Sequence, residues 1–569
     1  MKSVLLPKKV MLLVALIQGI LLMSLHQAIE FDYWPAQSPE WLLCFYTAAL
    51  SGPLMLLLAL EQDNAKAVIR WILPTNLVLS GLAFYVGTQA LLVPELNLDQ
   101  VLPLFICTTL VVCFKTLMYA QNFSHNTSLR YHLLFRYSWR NFLTLGLSLL
   151  FTLCVWILLE LWAQLFKVIG IDFFEALFAS KWFYYPILSL AFGFGVIIFR
   201  SQMQIIDTLT RIQQSLMKFL LIILSLVSLL FLATLPFTGL TLLWNTGSGS
   251  VLILTMQGLI LFFLNAVYQD EPNSRPYPLI VHRFVYLTVA LLPIYSVIVF
   301  YGLYQRIEQY GWTVDRAWGL VLWGIFGLFS LGYLWGIVKH KDNWLHHLSR
   351  VNVRMGLLVL TVMLLVNSPV LDFRKITVNS QLAKLTQNQL KPEDMDLHYF
   401  RYSLAQPGYL ALQELKQQHT DNVELQLKID NLYLPQHENK AMEQAQFVAR
   451  LTIYAEQPIP ESLLDALYTF AAKDVWQLNL LQQGWLLEVD LDQDSVNDYL
   501  LIQVLQHSHT LTLFYQQDQQ WLNLAMNSNL AFNAEHLEQF KKNITSELKV
   551  IPPRWQNLQM GELQLYPNN

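Results

Sequence analysis

Four aspartates in the stretch WLLEVDLDQDSVNDYLLIQV, residues 485 to 504, have the spacing of a cation loop. Asp490, Asp492, Asp494 and Asp498 occupy positions one, three, five and nine between two runs that read as strands. Calcium takes roughly six to eight oxygens, and alternate side chains of an Asp-x-Asp-x-Asp loop turn inward together while a backbone carbonyl, here that of Val496, adds a further ligand. Two positions depart from this pattern: Ser495 stands where glycine eases the turn, and Leu501 stands where a bidentate glutamate closes an EF-hand. The competing reading is a solvated acidic turn that keeps a sheet edge soluble. Calcium at such a loop is structural, since a filled coordination shell leaves no open position for chemistry.

Other residues offer different chemistry. Glu30 and Asp32, in AIEFDYWPAQSPE, form a carboxylate pair in the first loop after an apolar run, where one could serve as general base toward a sugar acceptor. The alternative is an ordinary acidic loop. His340, His346 and His347 in KHKDNWLHH could bind a metal, yet the segment reads foremost as a basic cytoplasmic connector. A third stretch, YGLYQRIEQYGWTVDRAWGL at 301 to 320, sets Arg306, Glu308, Asp315 and Arg316 among Tyr310, Trp312 and other aromatics. Such a stretch suits an interfacial belt with internal ion pairs, or a docking surface for lipid, glycan or the chain's own tail. No HExxH, GxSxG, P-loop or dinucleotide fingerprint is present.

These residues are carried by a chain that is 54% hydrophobic and only 13% charged, a composition that needs lipid as solvent. A bilayer span takes about 20 apolar residues. Eleven windows qualify, near 10–27, 41–60, 71–93, 101–120, 142–163, 183–199, 219–238, 251–268, 284–304, 317–338 and 355–371. The first is read as an uncleaved span, because further spans follow it and no small-residue cleavage site does. With the N-terminus inside, the inner segments hold 18 Lys and Arg residues and the outer loops 4, which fixes the orientation by the positive-inside rule. An odd number of spans leaves everything after Leu371 outside. Prolines within spans (Pro53, Pro74, Pro103, Pro186, Pro236, Pro293) either kink helices or break them to line a cavity. Ionisable groups at membrane depth are nearly absent: Glu160 lies close to an outer end, and Lys115 lies at an inner end and can snorkel. Asn76, Gln257 and Asn265 suit interhelical hydrogen bonds.

The fold class is therefore a membrane all-α bundle of about eleven spans, residues 1–371, followed by an exported α+β domain, residues 372–569. Charge separates the two parts, about +6 in the first and −10 in the second, and provides no basic surface of the kind nucleic acid needs. The four cysteines all fall in apolar segments, so no disulfide framework or cysteine-based zinc site is expected. In the second part, TVNSQLAKLTQNQL, GYLALQELKQ, ESLLDALYTFAA and NAEHLEQFKKNITSEL read as helices. VELQLKID, FVARLTIYA, WLLEVDL, DYLLIQVL, TLTLFYQQ and QWLNLAM read as strands.

The stretch at 301 to 320 and a second, NSPVLDFRKITVNSQLAKL at 367 to 385, together with the many-span core, resemble the bacterial inner-membrane proteins grouped as domain of unknown function 4153. That family has no assigned reaction, so the resemblance implies a topology and transfers no catalytic role. Together with the orientation set by the basic residues, this leads to the expectation of a multi-pass protein of the bacterial inner membrane, N-terminus cytoplasmic, with the C-terminal domain in the periplasm. The function expected is that of an envelope protein whose exported domain binds a ligand or a partner: an envelope protein, a lipid, a glycan, or calcium as a cofactor. The alternatives are a GT-C-like membrane glycosyltransferase using a polyprenyl-phosphate donor, with Glu30 or Asp32 as base, and a small-solute transporter.

Overall fold

The computed structural model describes residues 8–61, 64–90, 101–125, 129–245, 247–268, 276–341, 344–387, 390, 395–420, 422–433, 442–455, 458–473, 478, 481–491, 496–505, 509–517, 520–526, 558–560 and 563–565. The chain forms two compact units, Met1–Tyr433 and Leu434–Asn569.

The first unit opens with α1 (Lys8–Glu30), α2 (Pro39–Ala59), α3 (Ala65–Gly87), α4 (Val101–His125) and α5 (Tyr131–Val168). It continues through the short α6 (Phe173–Ala179), α7 (Lys181–Ser201), α8 (Met203–Thr238), the short α9 (Thr241–Asn245), α10 (Gly249–Val267), α11 (Leu279–Tyr310), α12 (Val314–His340) and α13 (Leu345–Leu365). Among the described residues, eleven of these are long and apolar enough to cross a bilayer, all but α6 and α9. The chain is thus a multi-pass membrane protein. The helices α5 and α8, 38 and 36 residues long, exceed a bilayer's need, and their surplus lies at the N-terminal ends, which carry Arg136, Arg140, Arg211 and Lys218.

None of the prolines breaks its helix. Pro53, Pro74, Pro186, Pro236 and Pro293 lie inside continuous helices, and Pro103 falls in the first turn of α4, where no intrahelical donor is lost. Buried amides bond between helices instead of facing a pore. Gln257 on α10 donates to Ser296 on α11 at 2.7 Å and to Ser330 on α12 at 2.9 Å. Asn265 accepts from Tyr333 on α12 at 3.0 Å and from Asn352 on α13 at 2.6 Å, and Ser51 donates to Asn76 at 2.5 Å. In lipid these bonds replace the hydrophobic drive that joins helices in water.

Past α13 come a 3-10 turn at Pro369–Leu371 and then α14 (Phe373–Thr386), α15 (Leu397–Ser403), α16 (Ala405–Gln418) and α17 (Val423–Leu432). Val378, Phe400, Leu412, Leu415, Leu425 and Ile429 form their shared core. The strand expected at VELQLKID is a helix. Its alternation is overridden because Asn422 caps the first turn, accepting from Leu425 N at 3.0 Å, and because Leu425 and Ile429, four apart, both bury in that core. The end of the last span and the division between compact units are therefore different places in the chain.

The second unit contains α18 (Gln444–Ala449), β1 (Leu451–Tyr454), α19 (Glu461–Ala471), β2 (Leu481–Val489), β3 (Asp498–Leu505), β4 (His509–Gln517) and β5 (Gln520–Ala525). A small pair, β6 (Leu558–Met560) and β7 (Leu563–Leu565), follows. The five-stranded sheet runs in sequence order. Its first pair is parallel, because α19 crosses between β1 and β2, and the other pairs are antiparallel. Leu463 and Leu467 of α19 pack on Leu486, Leu501 and Phe514 of one sheet face, while Trp485, Leu487 and Ile502 cluster on the other. The run FVARLTIYA is only half strand, since its first residues close α18. The helix expected at NAEHLEQFKKNITSEL lies outside the described residues.

Candidate functional site

Glu30 ends α1, and Asp32 lies in the following turn at φ 48, a left-handed position that aspartate tolerates better than most residues. Gln37 donates to the Asp32 carbonyl at 2.6 Å. Both acids are exposed, and neither lines a cavity described below. His340 and His347 bring their rings to 5.8 Å across the turn from α12 to α13, and the side chain of His346 lies outside the described residues.

In the loop proposed for calcium, Asp492 and Asp494 lie outside the described residues. Asp490 follows β2. Asp498 opens β3 opposite Val489, is buried, and accepts the Leu491 N–H at 3.2 Å, while Asn497 donates to Glu488. Asp498 thus closes the hairpin between β2 and β3, and the exposed Val496 lies just before it. Among the described residues no group of three or more His, Cys, Asp and Glu side chains is placed to hold a metal.

The aromatic stretch forms the turn from α11 to α12. Gly311 sits at φ 78, where a side chain would be strained. The expected internal ion pairs are corrected by the geometry: both arginines bond to carbonyls. Arg316 donates to Gly311 O at 2.6 Å with its guanidinium 5.5 Å from the Tyr310 ring, and Arg306 donates to Gly247 O at 2.5 Å. Orphan carbonyls at the end of α11 and in the neighbouring turn compete for the guanidinium donors, leaving Glu308 and Asp315 outside ion-pair distance of either arginine among the described residues. Much of the turn's remaining backbone is satisfied by the helices that follow the last span. Ser380 accepts from Trp312 N at 3.1 Å, and Gln381 donates to Tyr310 O and Trp312 O, each at 3.2 Å. Lys384 reaches Gln309 O at 2.8 Å, and the Tyr399 hydroxyl accepts Val314 N at 3.0 Å.

A second anchor lies beside it. Asp372 caps α14 and takes two parallel bonds from Arg374, both at 2.9 Å, while the Tyr85 hydroxyl of α3 donates at 2.7 Å. Burial pushes the Asp372 carboxyl up, but the bonds and charge of Arg374, with help from Tyr85 and the Arg374 backbone N–H, outweigh it and hold the group below the usual carboxylate range. Arg374 Nη1 is buried with no hydrogen-bond partner among the described residues.

Between these anchors a cavity of about 710 Å³ opens between α4, α10 and α12, with α15 as its roof. Leu104 and Val251 at its rim are exposed. The inner wall is apolar, made by Leu254, Gly258 and Phe326, the exposed Leu322 and Thr255 lie along its side, and the end under α15 is polar, made by Asp315, Tyr399 and Ser403. Trp318 also lines an adjoining cavity of about 60 Å³ that is walled by Asn367, Asp372 and Arg374. Among the described residues the larger lining has one carboxylate and no histidine, cysteine, lysine or arginine, so it suits a molecule with an apolar tail and a hydrogen-bonding head. Sequence reasoning picked out Asp315. It missed Tyr399, Asp372 and Arg374, although the short spacing of the last two just beyond a span was a readable capping signal.

No curated protein and no solved structure matches the chain. The residues that converge here, Val314 to Trp318 and Asn367 to Arg374, fall inside one matched segment. The family model for the domain of unknown function (DUF4153) matches residues 12–415, from α1 into α16, and the chain belongs to that family.

Proposed function

We propose that the chain is a multi-pass protein of the bacterial inner membrane that takes an amphipathic molecule from the outer leaflet into the groove between α4, α10 and α12. The observation that carries this reading is that the stretches 301–320 and 367–385 meet where the groove adjoins the smaller cavity, with Asp315 on the groove, Asn367, Asp372 and Arg374 on the cavity, and Trp318 lining both. The tail of the ligand lies on Leu254, Gly258 and Phe326, and its head meets Asp315, Tyr399 and Ser403. A head bearing hydroxyl or ammonium donors suits those acceptors. A phosphate would face the Asp315 carboxylate, and the cation of the adjoining cavity, Arg374, is already paired with Asp372.

The distribution of basic residues supports a cytoplasmic N-terminus and a periplasmic Leu434–Asn569 unit, which then offers surface to an envelope protein or glycan. A polyprenyl-phosphate glycosyltransferase has less support, because Glu30 and Asp32 lie away from the groove. The test is to purify the full chain in mild detergent and compare its bound lipids with those of the membrane. One amphiphile with a hydroxyl- or amine-bearing head should be enriched about tenfold, an enrichment worth roughly 1.4 kcal/mol. It should be lost in Gly258→Phe, which fills the groove, and reduced in Asp315→Asn. A lipid profile identical to the bulk membrane and unchanged in both variants overturns the proposal.

A further inference from the structure

A second cavity, of about 510 Å³, lies toward the opposite end of the bundle. On α4 the two linings are parted by the step from Leu104 to Phe114, roughly 15 Å along the helix axis, whereas on α10 and α12 they come within one turn, at Leu259 and Phe262 and at Phe326 and Phe329. Lys115 stands on its wall with Gln213 of α8 and Asn352 of α13, and aromatic rings from α4, α5, α10 and α12 make the rest, including Phe135, Trp139 and Phe329. A methyl group built on Gly356 would come within 3.8 Å of Lys115 Nζ, which places the ammonium against α13. Among the described residues Lys115 has no hydrogen bond and no ion pair, and the lining contains no carboxylate. A cation walled by aromatic rings is costly to hold in lipid without a counter-charge. The amide partners nearby are committed, since Asn352 and Asn265 bond to each other and to Tyr333.

The cavity also has a way out to hydrocarbon: Phe142 and Phe262 on its lining are 53% and 52% exposed. A cation inside and an apolar exit match an anionic head with an attached tail. We propose that this cavity binds an anionic glycerophospholipid, its phosphate on Lys115 and an acyl chain leaving between Phe142 and Phe262. The inference is independent of the groove at the other end, whose lining has the opposite charge. It differs from the general attraction of anionic lipid to the basic helix ends, because Lys115 lies inside the apolar span of α4, although Phe135, Trp139 and Gln213 bring the ends of α5 and α8 into the same wall.

The probe is phosphatidylglycerol against phosphatidylcholine of the same acyl chains, titrated onto the full-length protein and read by native mass spectrometry. Wild type should retain phosphatidylglycerol about tenfold more strongly, the size of one charge-assisted contact. Lys115→Met should abolish that preference and Lys115→Arg should keep it. Gln213→Trp, which narrows the cavity from a half-buried position with Lys115 intact, should lower phosphatidylglycerol retention as well. Equal retention of the two lipids by wild type overturns the proposal, as does a preference that survives Lys115→Met. If Lys115→Met does not fold, unchanged phosphatidylglycerol retention in Gln213→Trp overturns it.

Discussion

A carboxylate only 5% exposed, held between a tyrosine and an arginine, ties the end of the last span to α3. Asp372→Asn leaves Arg374 charged and poorly paired in a buried place, so thermal unfolding of the purified protein should show a loss of about 3–5 kcal/mol near neutral pH. Tyr85→Phe removes one bond to the charged group and should cost about 1.5–3 kcal/mol. Because the folded carboxyl titrates below its ordinary value, its contribution is complete above roughly pH 4 and declines as pH falls through the folded value. The gap in melting temperature between wild type and Asp372→Asn should therefore shrink on acidification below about pH 4. A gap constant with pH would show that the pair acts by shape alone. Little of this site was legible beforehand. Asp315 and Arg316 stood out by type, but the partners of Arg316 are carbonyls set by the left-handed turn at Gly311, and no residue pattern announces that.

Among the spanning helices, the turn from α2 to α3 is fastened by a buried charge cluster. Arg200 at the end of α7 donates to Leu57 O at 2.7 Å and Leu60 O at 3.0 Å, the orphan carbonyls at the end of α2. Glu61 lies 3.5 Å from Arg200 and 3.7 Å from Arg140 of α5. One arginine thus caps a neighbouring helix and also meets a carboxylate that offsets its charge. Arg200→Met should destabilise the protein by about 3–5 kcal/mol, because Glu61 loses a partner in a buried place. Glu61→Gln alone should also destabilise it, and the double variant should lose less than the sum of the singles. Additive losses in a double-mutant cycle would rule out coupling. Element type was readable wherever period and length agreed: all eleven spans, α14, α16, α19 and β2 to β5 fall where the apolar pattern puts them. It failed at α17 and at α18, where short runs alternate like strands and capping with tertiary burial decides otherwise.

For the whole molecule, the orientation proposed above rests on basic residues alone and has a direct check. A reporter active only outside the cytoplasm should be active when fused after Leu371 or Asn569 and silent at Asn343, and activity at Asn343 would invert every loop assignment. The contacts that join helix ends agree with one alternating path. Tyr85 reaches Asp372, the α11 to α12 turn reaches α14, and Arg140, Arg200 and Glu61 meet at the opposite end. The bundle was legible because lipid imposes a length and a composition on each span, whereas the cavities lie between spans, and no single span encodes them. The way α14 is held also has a mechanical consequence. Tension arriving along the chain from beyond Tyr433 does not act first on α13. It is divided between the Tyr85–Asp372–Arg374 knot and the row of bonds from Ser380, Gln381 and Lys384 to the α11 to α12 turn, so the load is shared with the ends of α3, α11 and α12 before it reaches α13.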